Sequence, residues 1–235
     1  MKFSGSATLS AIKINDDLEV SGSVKLNGDF ECNDFKSSGS LRGKGNLTVH
    51  GDLKNSGSFK LAGSVYVDGD LKISGSIAVD GEIIAKGALK NSGSLRAGKQ
   101  VSALDGISVS GSAKVNGDLT SEDTIKTSGS CTIHGDVTGE EILFGQGRSL
   151  SLSVYKHSTK IYGNVTAREK VVLKGALVEG DVKAREVIIG KGTEVQGTIY
   201  YVDAIEVHEK SNLNNNPVKL TEIEFKSNKK TNNYK

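Results

Sequence analysis

From about residue 39 the chain repeats a six-residue pattern: glycine, polar, aliphatic, variable, aliphatic or small, polar. Gly45–His50 (Gly-Asn-Leu-Thr-Val-His), Gly63–Asp68 (Gly-Ser-Val-Tyr-Val-Asp) and Gly75–Asp80 (Gly-Ser-Ile-Ala-Val-Asp) are examples. Apolar residues at positions three and five, with polar neighbours, are the period-two mark of a strand with one dry face. Glycine then turns a corner, where a side chain would crowd the interior or a positive φ is needed. Every sixth residue from Gly39 to Gly93 is glycine, and every third of these lies in a Ser-Gly-Ser triplet. The triplet glycines (Gly5, Gly22, Gly39, Gly57, Gly75, Gly93, Gly111, Gly129) recur every 17 or 18 residues. Three units make a triangular coil, and successive coils pair as parallel strands about 4.8 Å apart. The expected fold is all-β, a parallel β-helix with coils of 17–18 residues.

The beat loosens after Gly93, where Gly98 and Gly106 fall one residue off register, and resumes at Gly111, Gly117, Gly129 and Gly135. Gly163 lies 28 residues beyond Gly135, so one coil carries about ten extra residues. The reading divides the chain into 1–144 with Ser-Gly-Ser coils, an inserted loop at 145–159, 160–213 with 17-residue coils, and a C-terminal strand and polar tail at 214–235. Asn214–Pro217 is a stop signal. Val218–Phe225 is expected to add one strand over the end, and Lys226–Lys235 to be disordered.

Hexapeptide-repeat acyltransferases share the six-residue period, but their unit places an aliphatic residue directly before the glycine. Here those residues are Ser38, Lys44, His50, Ser56, Ala62, Asp68, Ser74, Asp80, Lys86 and Ser92, none of them Ile, Leu or Val. A transferase of that kind is therefore the second reading. The segment from about Thr159 to Leu213 instead resembles the bactofilins. Gly163–Arg168 (Gly-Asn-Val-Thr-Ala-Arg), Lys170–Leu173 (Lys-Val-Val-Leu), Val178–Arg185 (Val-Glu-Gly-Asp-Val-Lys-Ala-Arg), Glu186–Ile189 (Glu-Val-Ile-Ile) and Val195–Ile199 (Val-Gln-Gly-Thr-Ile) follow that family's coil pattern. The resemblance implies a right-handed β-helix that polymerises end to end into cytoskeletal filaments without nucleotide. It also implies scaffolding of cell-shape, envelope or motility machinery at the inner face of the cell membrane, with the protein itself as first partner.

Glycine supplies 29 of 235 residues and proline one, which excludes collagen and a proline-rich linker. Cys32 and Cys131 fall on inward positions about six coils apart, so both are expected as buried, reduced thiols. No apolar run is long enough to cross a membrane, and the start has no leader-like stretch, so the expected location is cytoplasmic. The net charge of +2 does not point to nucleic acid.

Its distribution is more informative. Stacking the coils aligns Lys36, Lys54, Lys72, Lys90 and Lys126 in one outward column and Lys25, Arg42, Lys60, Arg96 and Lys114 in another, on either side of the Ser-Gly-Ser corner. Asp29, Glu82, Asp118 and Asp136 follow the glycine at a second corner, and Asp52 and Asp70 at the third, suggesting one cationic and two anionic edges. Solubility and protection of strand edges is one account of the basic columns. Docking on an anionic membrane surface, or on the acidic edge of a neighbouring filament, is the other.

Chemistry is hardly announced. His50, His134, His157 and His208 lack a second histidine or cysteine at ligand spacing, and Gly145–Arg148 lacks the Gly-Lys-Ser/Thr ending of a phosphate loop. His157 reads as a surface-loop residue. No catalytic, metal or cofactor site, no cofactor and no small-molecule substrate are expected. Asn55 and Asn91 hold inward positions and would need partners on adjacent coils.

The ends matter more. No cap precedes the first coil, where Phe3, Leu9, Ile12 and Ile14 run straight into the repeats. An uncovered coil exposes apolar edge and unpaired backbone, and joining like ends would bury it. The expected joint residues are Phe3, Leu9 and Ile12 at one end and Leu213, Val218 and Leu220 at the other. A non-catalytic filament former is the first reading. A monomeric scaffold differs from it only in having sealed ends.

Overall fold

The structure, a computed structural model, describes residues 1–145 and 157–227, apart from the side chains of Ala11 and Ile12. It is a β-solenoid of about 11 turns in which every strand pairing is parallel. Short strands follow one another around three faces, as in Leu53–Asn55, Ser58–Leu61 and Val65–Val67. Each pairs with its equivalent one coil later: Leu53 with Leu71, Phe59 with Ile77, Val65 with Ile83. We call these the first, second and third faces, in that order. The Ser-Gly-Ser corner joins the first to the second.

Within a strand, buried and outward residues alternate as the six-residue unit predicts. The interior is a set of aliphatic columns one coil apart, such as Leu53, Leu71, Leu89, Ile107 and Ile125, and Phe35, Phe59 and Phe144 are its largest fully buried side chains. Both cysteines are free and buried, and burial is the main cause that pushes their thiols up to about 12.

The corner glycines of the triplets are needed for closeness rather than for handedness of the backbone. Of the eight, only Gly5 has a positive φ. A Cβ on Gly57, Gly75 or Gly93 would lie 1.9–2.0 Å from the carbonyl oxygen of the triplet glycine one coil below. The backbones touch at this corner, and only a hydrogen fits between them.

The other two corners solve a different problem. At many levels the first residue after the bend, in most cases preceded by glycine, accepts through a side-chain oxygen the backbone N–H of its equivalent on the next coil. Asp52 N–H donates to Asp34 Oδ1 at 2.8 Å, Asp70 N–H to Asp52 Oδ1 at 3.0 Å, and Ala88 N–H to Asp70 Oδ1 at 2.9 Å. At the remaining corner Asp136 N–H donates to Asp118 Oδ1, Asn164 N–H to Asp136 Oδ1, Asp181 N–H to Asn164 Oδ1 and Thr198 N–H to Asp181 Oδ1, at 2.7–2.9 Å. The glycine makes room: a Cβ on Gly69 or Gly87 would meet the carboxylate below at 2.6 or 2.5 Å. The Gly-Asp and Gly-Asn pairs are thus a hydrogen-bonded spine that satisfies corner amides no strand can reach.

Several expectations need correcting. Asn55 and Asn91 are buried, but each Nδ2 donates within its own coil, to the carbonyls of Gly57 at 2.9 Å and Gly93 at 3.0 Å. Adjacent coils supply no partner: Ile73 and Val109 are aliphatic, and Ser37, in register with Asn55, leaves its own hydroxyl and the Asn55 Oδ1 without a hydrogen bond. Residues 146–156 of the expected loop lie outside the described residues. Its last residue, Thr159, is buried and already pairs with Cys131, so the stack continues across the insertion without a break. His157 is not a loop-tip residue: its side chain is 7% exposed, with Nε2 3.5 Å from the Glu194 carboxylate.

At the C-terminus, Val218–Lys219 is the last strand, but Glu222–Ser227 is a helix where a strand to Phe225 was expected. Thr221 starts it as a capping box: the Glu224 N–H donates to Thr221 Oγ1 at 3.3 Å while Thr221 N–H and Oγ1–H donate to Glu224 Oε2 at 2.8 Å. The helix lies against the outside of the solenoid. Lys183 Nζ donates to the Phe225 carbonyl at 2.9 Å and sits over its ring, and Arg185 pairs with Glu222.

The corner geometry makes a direct prediction. Gly75→Ala forces two coils apart and should cost about 1–3 kcal/mol, whereas Ser76→Ala, on the exposed side of the same corner, should stay within about 0.5 kcal/mol. Thermal melts of the two variants check it. Equal melting points would remove close approach as the reason for the glycine.

Candidate functional site

Two regions concentrate what the sequence singled out: the basic corner and the coil ends. Strand register fixes the first. Lys36 pairs with Lys54, Lys54 with Lys72 and Lys72 with Lys90, and the column runs on through Ser108 to Lys126. On the second face Lys25 pairs with Arg42, Arg42 with Lys60, Lys60 with Ala78, Ala78 with Arg96 and Arg96 with Lys114. Both columns are therefore brought together in register.

They differ in part in how they are neutralised, since Lys36, Lys90 and Lys126 of the first column are exposed and take no ion pair among the described residues. On the first face Lys54 Nζ is 3.0 Å from Asp52 and Lys72 Nζ 2.8 Å from Asp70, and both lysines are only half-exposed. These are the same aspartates that cap the backbone of the next coil. Asp70 is held below its ordinary range by the Lys72 hydrogen bond and then by the Ala88 amide. Asp52 is lowered first by the Asp70 amide and then by Lys54. The expected anionic edge is thus engaged in structure, one oxygen on backbone and the other on lysine. On the second face Lys25, Arg42, Lys60, Arg96 and Lys114 are all exposed and take no ion pair among the described residues.

The third corner carries charges of alternating sign. Lys13 Nζ lies 2.5 Å from Glu31, His50 Nε2 2.6 Å from Glu31, His50 Nδ1 3.0 Å from Asp68, and Lys86 Nζ 2.7 Å from Asp68. Five successive coils therefore read plus, minus, plus, minus, plus when His50 is protonated. The Glu31 hydrogen bond, followed by that of Asp68, raises the imidazole above its ordinary 6.5. Glu31 and Asp68 are both lowered, Glu31 by His50 first and Asp68 by Lys86 first. The sequence pointed to His50 only as an isolated residue. Its partners lie 18–19 residues away, one coil on either side.

At the N-terminal end, Lys2–Phe3 pairs with Glu19–Val20 and Ala7–Lys13 with the strand Ser23–Cys32, and no described element covers their outer edges. Phe3, Leu9 and Ile14 are partly buried against the core, half-covered by the coil above. Ile12 pairs with Phe30 through its backbone. At the other end Ile205, Val207 and Leu213 stand over Val187, Ile189 and Val195, on inward columns, with Val207 45% exposed. Val207 was not anticipated, although its inward parity was readable by counting from Ile189.

Val218 is a correction. It stands over Tyr200 on an outward column, so it is not part of the apolar end face. Its neighbour Lys219 takes the inward position over Tyr201. Leu220 is half-buried, its N–H donating to the Tyr201 carbonyl at 2.7 Å.

Among the described residues no group of three His, Cys, Asp or Glu side chains could hold a metal ion, and no helix is long and apolar enough to cross a membrane. No protein-family model, curated protein or solved structure matches this chain.

The charge ladder has a pH signature. A histidine with a raised folded-state pKa stabilises fully below its unfolded value, and that contribution fades as pH rises through the raised one. The lowered carboxylates act oppositely, their contribution fading as pH falls through their folded values. The melting-point gap between the parent and His50→Gln should be widest near pH 5.5 and smaller at pH 9. A gap that is constant across that range would show that His50 stays neutral in the fold.

Proposed function

We propose that this chain is a non-catalytic structural protein whose copies stack end to end into filaments without nucleotide, as the resemblance to bactofilins implies. The observation that carries this reading is the open N-terminal coil. The outer edges of Lys2–Phe3 and of Ala7–Lys13, which runs along two faces, carry free N–H and C=O groups around partly covered apolar side chains, and such an edge templates further strands. In a solenoid the interior of one copy can continue directly into the next.

Joining like ends or unlike ends would both bury this edge. Unlike ends fit better. Extending the columns by one coil would set Phe3 of one copy on Val207 of another, Leu9 on Leu213, and Lys2 on Glu206. Two N-terminal ends would instead bring the cations Lys2 and Lys13 of both copies into one seam. Scaffolding of cell-shape, envelope or motility components is what the same resemblance implies. Peripheral placement at the inner face of the cell membrane belongs to the same reading.

A monomeric binding scaffold is the second reading, and Lys219 favours it. A lysine on the inward column of the last coil discourages another copy from settling there.

Negative-stain electron microscopy without nucleotide should reveal filaments one solenoid wide. Phe3→Arg combined with Val207→Arg should reduce them to single particles in sedimentation. A parent protein that sediments as one species at all concentrations would sink the filament reading in favour of the scaffold.

A further inference from the structure

The second face has an organisation that assembly through the ends leaves unexplained. Its outward side carries two straight columns two residues apart. One is hydroxyl, with Ser23, Ser40, Ser58, Ser76, Ser94 and Ser112 in register. The other is the basic column from Lys25 to Lys114, interrupted once by Ala78. Over these six coils the only acid on an outward position of this face is Asp80. Cations repeat about every 4.8 Å over roughly 24 Å. Like charges at that spacing repel, and elsewhere this protein offsets part of such repulsion: by pairing Lys54 and Lys72 with Asp52 and Asp70 on the first face, and by alternating sign at the third corner.

We infer that the second face is a binding surface for a linear phosphate-bearing polyanion running along the solenoid axis. Each phosphate would meet a cation and the neighbouring serine hydroxyl, a charge-assisted pair with a neutral donor beside it. The row is one residue wide, which suits a chain better than a plane. Over these six coils the face offers none of the exposed large apolar side chains that would enter a bilayer. Over the same coils it also lacks the aromatic platforms on which single-stranded nucleic acid stacks, the stacked rings of His134 and Tyr162 lying beyond them. The aspartate spine is already engaged, so the edge of a second copy does not supply the missing negative charge. Near the N-terminal end the row opens into a shallow groove whose polar lining is Ser6, Thr8, Ser23, Lys25, Ser40 and Arg42, an entry for one end of the polymer. A single molecule carries the whole row, so the inference stands apart from filament formation.

The test compares two charge-matched triple variants of the full chain: Arg42→Gln, Lys60→Gln and Arg96→Gln on the second face, against Lys36→Gln, Lys90→Gln and Lys126→Gln on the first. The probes are fluorescent inorganic polyphosphate in anisotropy titrations and vesicles of phosphatidylglycerol and phosphatidylcholine in co-sedimentation. Near a polyanionic surface each cation is worth about fivefold in affinity, so the second-face triple should bind polyphosphate about 100-fold more weakly. Its log–log salt slope should be shallower by about 2. The first-face triple should change less than about threefold. Equal losses in both triples would reduce the row to general electrostatics and overturn the inference, as would no binding of the parent to polyphosphate at low salt. Vesicle binding stronger than polyphosphate binding would assign the face to a membrane instead. Should the triple fail to fold, Lys60→Gln alone is expected to lose about fivefold, and an unchanged affinity would equally overturn the inference.

Discussion

Everything in this molecule depends on how closely one coil can approach the next. Parallel strands want a spacing of about 4.8 Å, and a three-sided coil must hold that spacing around its bends as well as along its sides. At the Ser-Gly-Ser corner the backbones meet directly, carbonyl against Cα, and the absence of a side chain is the whole solution. At the other corners a carboxylate or amide oxygen bridges the gap and supplies the hydrogen bond that a strand would have made. The two solutions explain why glycine alone suffices at one corner while Gly-Asp or Gly-Asn recurs at the others, with Ser64 taking the same role through its hydroxyl. They also explain the columns. Once spacing is fixed at the bends, register cannot slip, and each side chain stands above its counterpart.

That logic accounts for what the sequence made readable. Period and parity are properties of the backbone, so the glycine beat and the alternation of Leu53, Lys54 and Asn55 fixed the faces, the inward columns and both basic rows. Contacts between side chains are different, because they depend on rotamers and on which of several neighbours is nearer. Asn55 sits where parity puts it, yet bonds to Gly57 two residues on rather than to a neighbouring coil. Asp52 reads as a surface charge and serves as a backbone cap. The final helix carries one local mark, the capping-box pattern Thr221-Glu222-Ile223-Glu224, but at six residues it is too short for a helical period to show against the two-residue alternation. His157 could not have been placed from sequence, since its cover comes from Glu194, two coils further on.

The three faces share one interior and differ outside. The first balances Lys54 and Lys72 with the same aspartates that hold the coils together, so charge and architecture are coupled at those levels. The third corner alternates sign and turns electrostatics into an axial attraction that varies with protonation of His50. The second keeps its cations unpaired. A fold built from one repeated unit thus carries three unlike surfaces along its length, because outward positions are free of the packing constraint that makes the inward ones uniform.

The pairing of Cys131 with Thr159 has a wider consequence. One coil takes in about ten additional residues, yet the strands on either side meet in the same register as their neighbours. Lengthening a bend costs little, since closure entropy grows only with the logarithm of its length. The rod can therefore carry passengers at its corners, and a guest peptide or small domain grafted there would be displayed laterally without changing the pitch of the scaffold beneath it.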